Sequence, residues 1–538
     1  MSIASILRSK FSRTKNVISV FAGHDANISF YSESNNSYHT IELERITRKR
    51  YFRLHVDNTK DEIIDLLKKC QLIAEDFWGI ENDYETLLMG SDGRIKPKFL
   101  REVFNFKELE ILGTHHQCHA ASAFWQSPYN KATIFSFDGG GDDGHFNIYT
   151  ADDSGINFIE RVQADFGGGY LIFASLIKEV AEKSSHPLAL PGKMMGICAY
   201  GRPNAELAKI LQDYYFDKDF KKLTINAKLP FDSEFNPWDD PLSNFCFEKE
   251  VAYDFAATAQ LAFEDAFIKI LSRYDQSSPI CLTGGGALNV LLNQRILTEI
   301  NKNIFVPPNP NDCGLSLGHL LIYKKPREKI NVTYNGVPLL DKKNLQTIAK
   351  QRNAKKQTPT QTADLLRQGK IIGVVYGDSE IGPRALGHRS ILCNPKFPDM
   401  KKTLNARVKF REWYRPFAPV CRDIDVDNYF ISRSFENMEC MSFAPTVKKN
   451  WVELLPSITH VDETARLQIV SESGCPQIYA LLTEFSKMTD SAVLLNTSFN
   501  LKGKPILTTI SDALFALDNT DLDGVLIEDY YFEKQILR

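Results

Sequence analysis

The segment His115-His116-Gln117-Cys118-His119 brings three imidazoles together. His115 and His119 are spaced i, i+4, and His116 and His119 are spaced i, i+3. Either spacing sets two rings on one face of a helix, where they can share a metal. Phe137-Asp138-Gly139-Gly140-Gly141 follows. Its aspartate is expected where a buried strand runs into a glycine turn, which would let backbone N–H groups approach a phosphate. Asp312, in the loop Pro307-Pro308-Asn309-Pro310-Asn311-Asp312-Cys313-Gly314, could join Asp138 as an oxygen ligand. Mixed imidazole and carboxylate donors suit a divalent ion such as Fe, Zn or Mn. The competing reading has one histidine capping or packing and another meeting only water. A metal beside a phosphate suggests group transfer from a phosphorylated donor.

Three further constellations carry chemistry. In Gly23-His24-Asp25-Ala26 a histidine ends the first strand, where αβ folds bind ligands. It suits general-base work on a hydroxyl, or is an ordinary hydrogen-bonded turn histidine. Gly382-Pro383-Arg384-Ala385-Leu386-Gly387-His388-Arg389-Ser390 leads into Lys409-Phe410-Arg411-Glu412-Trp413-Tyr414-Arg415-Pro416. Arginine forks bind phosphate bidentately and lysine neutralises it as a point charge. A solvated helix face accounts for Asp399 to Lys402, but not for Arg384 and Arg415 among Gly, Pro and aromatic residues. Last come Asp462-Glu463-Thr464-Ala465-Arg466 and Asn496-Thr497-Ser498-Phe499-Asn500, where hydroxyl and amide groups could meet a substrate or a triphosphate.

The elements that must position these residues follow from apolar patterning. Strands are expected at Val17 to Phe21, Ala26 to Tyr31, Tyr38 to Leu43, Ala132 to Phe137, Phe146 to Tyr149, Ile280 to Leu282 and Ile371 to Tyr376. Helices are expected over Asp61 to Lys69, from the histidines to Trp125, over 253–275, from Ala287, over Leu315 to Tyr323 and over Ala363 to Gln368. A strand, a glycine cluster and further regular structure occur twice, at 132–149 and at 280–287, as in duplicated actin-like or sugar-kinase-type folds. The polar, lysine-rich stretch near 325–358 reads as a linker.

The chain has 538 residues, enough for two to four domains, and its 64 basic and 67 acidic residues leave a net charge of −3. That balance argues against a nucleic-acid surface. Ten cysteines without Cys-x-x-Cys spacing point to reduced, buried thiols and a cytoplasmic protein. Met1 to Lys15 reads as a loose leader, and no apolar run is long enough to span a membrane.

Together the segments resemble the O-carbamoyltransferases of the NodU/CmcH family. The resemblance covers nearly the whole chain. It rests on Gly-His-Asp-Ala at 23–26, His-His-x-x-His-Ala-Ala-Ser-Ala-Phe at 115–124, Phe-Asp-Gly-Gly-Gly at 137–141, Gly-Lys-x-Met-Gly at 192–196, Gly-Gly-Gly-Ala-Leu-Asn at 284–289, Gly-Pro-Arg-Ala-Leu-Gly-x-Arg-Ser-Ile-Leu at 382–392, Arg-Glu-Trp-Tyr-Arg-Pro-Phe-Ala-Pro at 411–419 and Asn-Thr-Ser-Phe-Asn at 496–500.

The resemblance implies an α/β chain with a duplicated actin-like (ASKHA-type) domain at 1–325 holding the metal, a linker at 326–358, and a YrdC-like domain at 359–538. It implies that carbamoyl phosphate and ATP first form carbamoyl-adenylate, whose carbamoyl group then passes to a hydroxyl of a small-molecule acceptor, a natural product or sugar. By motif match the metal ligands would be His115, His119, Asp138 and Asp312, and His24 the base or orienting group. Arg384, Lys409, Arg415, Arg466 and Ser498 would bind carbamoyl phosphate and ATP; Gly139, Gly140, Gly141, Gly284, Gly285 and Gly286 would hold the adenylate. Fe²⁺ is the first expectation for the metal, with Zn²⁺ or Mn²⁺ as alternatives, and Mg²⁺ would accompany ATP. Neither nucleic acid nor a membrane is implied, and a homodimer is compatible.

Departures from the family pattern are His388, the turn Gly503-Lys504-Pro505, and the acidic pair Asp142-Asp143. The alternatives are an actin-like kinase or ATPase, and a threonylcarbamoyl tRNA-modification-type protein. The acceptor is not legible; Trp78, Tyr214, Tyr215, Phe216 and Trp238 lie in the most idiosyncratic stretches.

Overall fold

The computed structural model describes residues 15–54, 58–90, 94–182, 184, 186–216 and 247–534. The leader before Lys15 and Trp238 lie outside the described residues. The chain is α/β, as expected, with two five-stranded sheets followed by an eight-stranded one.

The first sheet contains β1 (Val17–Phe21), β2 (Asn27–Ser32), β3 (Ser37–Glu42), β4 (Tyr84–Met89) and β5 (Phe106–Ile111), in the order β3-β2-β1-β4-β5. The second contains β6 (Ala132–Gly141), β7 (Gly144–Asp152), β8 (Gly155–Arg161), β9 (Ile280–Thr283) and β10 (Ile304–Phe305), in the order β10-β9-β6-β7-β8. The central strands β1 and β6 each pair antiparallel with the next strand and parallel with the fourth of their set. The two sheets therefore share one topology. All five residues of β1 are buried, as an apolar, β-branched run covered on both faces should be.

A helix follows the last strand of each sheet: α2 (His115–Gln126) after β5, and α5 (Leu315–Lys324) after β10. These two helices pack on each other. A Cβ at Gly318 would lie 2.3 Å from the Cys118 carbonyl oxygen, so only glycine permits so close an approach. Between them in the chain come α3 (Leu190–Ile197) and α4 (Lys249–Leu271). The helix expected over Asp61 to Lys69 is α1 (Lys60–Trp78), which starts at a Thr59–Glu62 capping box and ends at Gly79 with φ +65°.

The third sheet comprises β11 (Lys355–Lys356), β12 (Ile372–Val375), β13 (Arg389–Cys393), β14 (Ala418–Arg422), β17 (Gln468–Val470), β18 (Val493–Ser498), β19 (Gly524–Ile527) and β20 (Tyr530–Glu533), while β15 (Phe430–Ile431) and β16 (Thr446–Val447) form a separate ribbon. Its order is β11-β20-β19-β12-β13-β18-β14-β17. The lysine-rich stretch before it holds a helix over Leu345–Gln351, and β11 pairs with β20. One apolar cluster runs from Phe135 and Phe137 to Val375 and Phe499, so the third sheet shares a core with the second. All nine cysteines among the described residues are free, and eight are buried.

One expected turn lies elsewhere. Gly139 to Gly141 belong to β6, which bulges between Phe137 and Gly141 and then pairs with Gly144. Asp142 and Asp143 make the turn.

Candidate active-site cleft

Two carboxylates and two imidazoles converge where α2, β6 and the start of α5 meet. The ligand atoms of His115, His119, Asp138 and Asp312 lie within 4.8 Å of one another. His119 Nε2 is 3.3 Å from Asp138 Oδ2 and 3.5 Å from Asp312 Oδ1, and the two Nε2 atoms are 3.1 Å apart. Asp312 Oδ1 is buried without a hydrogen-bond donor. An orphaned carboxylate oxygen facing two imidazoles and a second carboxylate fits a divalent cation, so the four residues form a candidate metal site.

The carboxylate of Asp138 is held by backbone. Its Oδ2 accepts the Gly285 N–H at 2.8 Å and its Oδ1 the Gly139 N–H at 2.6 Å. Burial would raise its pKa, but His115 and His119 hold it well below the usual carboxylate range. Burial likewise opposes the charged form of His119, yet Asp138 and Asp312 pull its pKa up to about 9.

His116 takes no part in the cluster. Its Nε2 bonds the Gly144 carbonyl at 3.0 Å, and its Nδ1 bonds the Ser136 hydroxyl at 2.7 Å. With both nitrogens engaged, the i, i+3 alternative is not used. The acidic pair also has a place: Asp142 accepts the His115 N–H and Asp143 the His116 N–H at the start of α2.

His24 lies beside the cluster. Its Nε2 is 3.2 Å from Asp312 Oδ2 and its Nδ1 is 3.3 Å from Asp25 Oδ2, with 28% of the side chain exposed. Burial works against protonation, but Asp312 and Asp25 raise its pKa to about 9.

The cavity lined by His24, Asp138 and Asp312 is also lined by Arg384, Lys409, Arg411, Arg415 and Arg466. Burial and the neighbouring cations make protonation unfavourable at Lys409 and Arg466, whose pKa values fall well below their ordinary ones. Arg384 is lowered to about 10 by burial and by Arg415. Among the described residues, neither Arg384 nor Arg466 has a hydrogen-bond or ion-pair partner, and Arg466 Nε is buried without one. Unpaired guanidinium groups repelling one another in a cleft form a candidate anion site by charge and geometry. Lys409 instead donates to the carbonyls of Ser498 (2.6 Å) and Asn500 (2.9 Å), and to Asn500 Oδ1 (2.7 Å).

This cavity has a volume of about 960 Å³. It brings together His24, Asp138, Asp312, Arg384, Lys409, Arg415, Arg466 and Ser498. Of the six glycines, Gly139, Gly140, Gly285 and Gly286 line it. A Cβ at Gly141 would lie 2.4 Å from the His115 ring, and one at Gly284 2.2 Å from the Phe137 carbonyl oxygen, so these two serve close packing. Three participants carried no decisive signal in the sequence. Arg411 joins the cationic group, with its Nε on Asn405 Oδ1 at 2.7 Å. Lys193 of α3 bonds Glu412 at 2.7 Å across the cleft. Arg50 lines the cavity beside Tyr51. Among the described residues no helix is long and apolar enough to cross a membrane.

Residues 78–321 match the family model described as carbamoyltransferase N-terminus, and residues 363–534 match carbamoyltransferase C-terminus. Nodulation protein NolO of Bradyrhizobium diazoefficiens is 31% identical over 456 residues, covering 78% of this chain and 79% of that protein. Nodulation protein U of Azorhizobium caulinodans is 26% identical over 531 residues, covering 88% of this chain and 91% of its own. A crystal structure of full-length HypF in the phosphate- and nucleotide-bound form aligns at a TM-score of 0.32 and 13% identity over 58% of this chain and 55% of that one, a likeness too slight to bear on the site.

Proposed function

The chain belongs to the carbamoyltransferase family and is an enzyme that transfers carbamoyl groups, and from that premise we propose an ATP-dependent O-carbamoyltransferase working in two steps within one cleft. In the first, carbamoyl phosphate, ATP and a water yield carbamoyl-adenylate, phosphate and pyrophosphate. In the second, the carbamoyl carbon passes to a hydroxyl oxygen of a small-molecule acceptor, a natural product or sugar, and AMP leaves. The observation that carries this reading is the shared cavity, which is lined both by the unpaired guanidinium groups of Arg384 and Arg466 and by the Asp138 and Asp312 carboxylates of the four-residue cluster.

Arg384, Arg415 and Arg466 would receive the phosphate groups, as forks matched to phosphate oxygens. Lys409 would hold the Ser498–Asn500 turn and so aim the Ser498 hydroxyl. Gly139, Gly140, Gly285 and Gly286 would let the adenylate approach the backbone. Mg²⁺ would accompany ATP. His115, His119, Asp138 and Asp312 would hold a divalent metal, Fe²⁺ before Zn²⁺ or Mn²⁺. Such an ion supplies Lewis-acid polarisation of a carbonyl. His24 would orient the acceptor hydroxyl or take its proton. The enclosing walls would keep water from an adenylate that hydrolyses readily.

The repeated sheet topology supports an actin-like origin for the part up to residue 325. We assign 359–538 to a YrdC-like domain and 326–358 to the connection between them. The decisive experiment follows carbamoyl-phosphate-dependent release of pyrophosphate from ATP, with metal present and acceptors varied. Release supports the first step; its absence removes it.

A further inference from the structure

Glu42 lines the cavity described above while Arg45 does not, and both are buried where the first sheet meets the loop after β12. Arg45 is 1% exposed and pairs with Glu42, one helical turn away. Its fork reaches more than three hundred residues along the chain. Nη1 donates to Ser379 Oγ at 2.8 Å and to the Glu380 carbonyl at 2.6 Å, and Nη2 donates to the Gly382 carbonyl at 2.7 Å. Glu42 Oε1 accepts the N–H of the same Gly382 at 2.6 Å. One residue is thus gripped through both of its backbone polar groups, and Arg384 stands two positions further on.

The rest of that loop is equally fixed. Glu380 Oε1 accepts the N–H groups of Leu386, His388 and Arg389 at 2.6, 2.8 and 3.1 Å. Gly382 has φ +91°, and a Cβ there would lie 2.1 Å from the Pro308 carbonyl oxygen, in the segment that carries Asp312. The Arg384 guanidinium, by contrast, has no partner of its own among the described residues, so its backbone sets its position. A buried ion pair adds little net stability compared with apolar residues of similar size. Stability alone therefore does not account for this pair, whereas orientation of the loop does.

We propose that Arg45, with Glu42, is a positioning residue for the donor end of the cleft: it fixes Gly382 so that the Arg384 fork meets the donor's phosphate. The inference rests on the reading of Arg384 as a phosphate-binding group in the first step. A misplacement of about 1 Å can cost about 10²-fold in rate.

Arg45→Lys in the full-length protein keeps a charge beside Glu42 but has no planar fork to serve three acceptors. With pyrophosphate release as the readout, KM for carbamoyl phosphate is expected to rise at least about 10-fold, while the Tm and the metal content hold. In an Arg384→Lys background, whose point charge needs no set direction, the same change should add less than about twofold. Full additivity of the two substitutions would show that Arg45 does not act through Arg384, and would overturn the proposal. Ser379→Ala removes one acceptor without disturbing the ion pair. It should shift the same KM in the same direction by a smaller factor, and it decides the question if Arg45→Lys does not fold. Normal kinetics in both variants overturn the positioning role alone. No release from the unsubstituted protein removes the functional reading itself, and this inference with it.

Discussion

The carboxylate of Asp142 accepts the backbone N–H of His115 at 2.8 Å. Through this bond the β6–β7 hairpin caps the helix that carries both histidines of the candidate metal site. Thr114, in the cap position, makes no side-chain capping bond, so the cap comes from another sheet. The carboxylate also opposes the positive end of the helix dipole.

Asp142→Ala should therefore lower stability by about 0.5–2 kcal/mol and weaken metal binding along with it. Denaturant unfolding and metal titration of the same preparation check both effects. A stable variant with unchanged metal affinity would refute the link.

Arg384→Ala should lower carbamoyl-phosphate-dependent pyrophosphate release by at least about 10²-fold, the scale of a lost transition-state contact. Metal content, read by elemental analysis, should stay the same. Loss of both together would mean that the residue supports the fold rather than the donor.

His24→Ala should leave pyrophosphate release intact and slow carbamoyl transfer by about 10²–10⁴-fold. Single-turnover assays that separate the two steps are the measurement. Equal loss in both steps contradicts the assignment of His24 to the second.

Gly318→Val would press a side chain against the Cys118 carbonyl, since even a Cβ would lie 2.3 Å from its oxygen. The expected cost is about 1–3 kcal/mol, as for overpacking elsewhere. Because α2 carries His115 and His119 while Asp312 immediately precedes α5, metal affinity should fall more than thermal stability alone accounts for. Unchanged metal affinity in a destabilised variant would separate the packing from the site.

His39 gives a pH signature. Its ring stacks on Trp78 at 4.4 Å, and burial lowers its pKa from 6.5 to about 4. Since the folded pKa lies below the unfolded one, the unfolded chain binds more protons between these values. Stability is thus full above about pH 6.5 and is lost as pH falls towards 4, by roughly 2–3 kcal/mol. His39→Gln should flatten that part of the profile in urea unfolding at pH 4, 5.5 and 7; an unaltered slope would assign it to other groups.

Much of this was legible locally. Val17 to Phe21 reads as a strand to the residue, because a buried central strand is one apolar run with glycine after it. The His115–His119 spacing identifies a helical pair, since four residues make about one turn. Other features carried no local signal. Three glycines in a row look like a turn, but here a bulge keeps them in β6, and the aspartates turn the chain. Lys355 and Lys356 look like linker, yet an edge strand pairs through its backbone and tolerates charged side chains. The grip of Arg45 on Gly382 joins positions 337 apart, and no periodicity encodes such a distance.

The matching order of the first two sheets has a consequence for how the site is furnished. His24 follows β1 and Asp138 lies at the bulge of the corresponding strand, β6, while His115 and Asp312 stand at or just before corresponding helices, α2 and α5. Two identical copies meeting about a twofold axis would be bound to present the same donors twice. Repeats joined in tandem escape that symmetry: each location can mutate without its counterpart. Two sheets of one topology thereby offer imidazole from the first and carboxylate from the second.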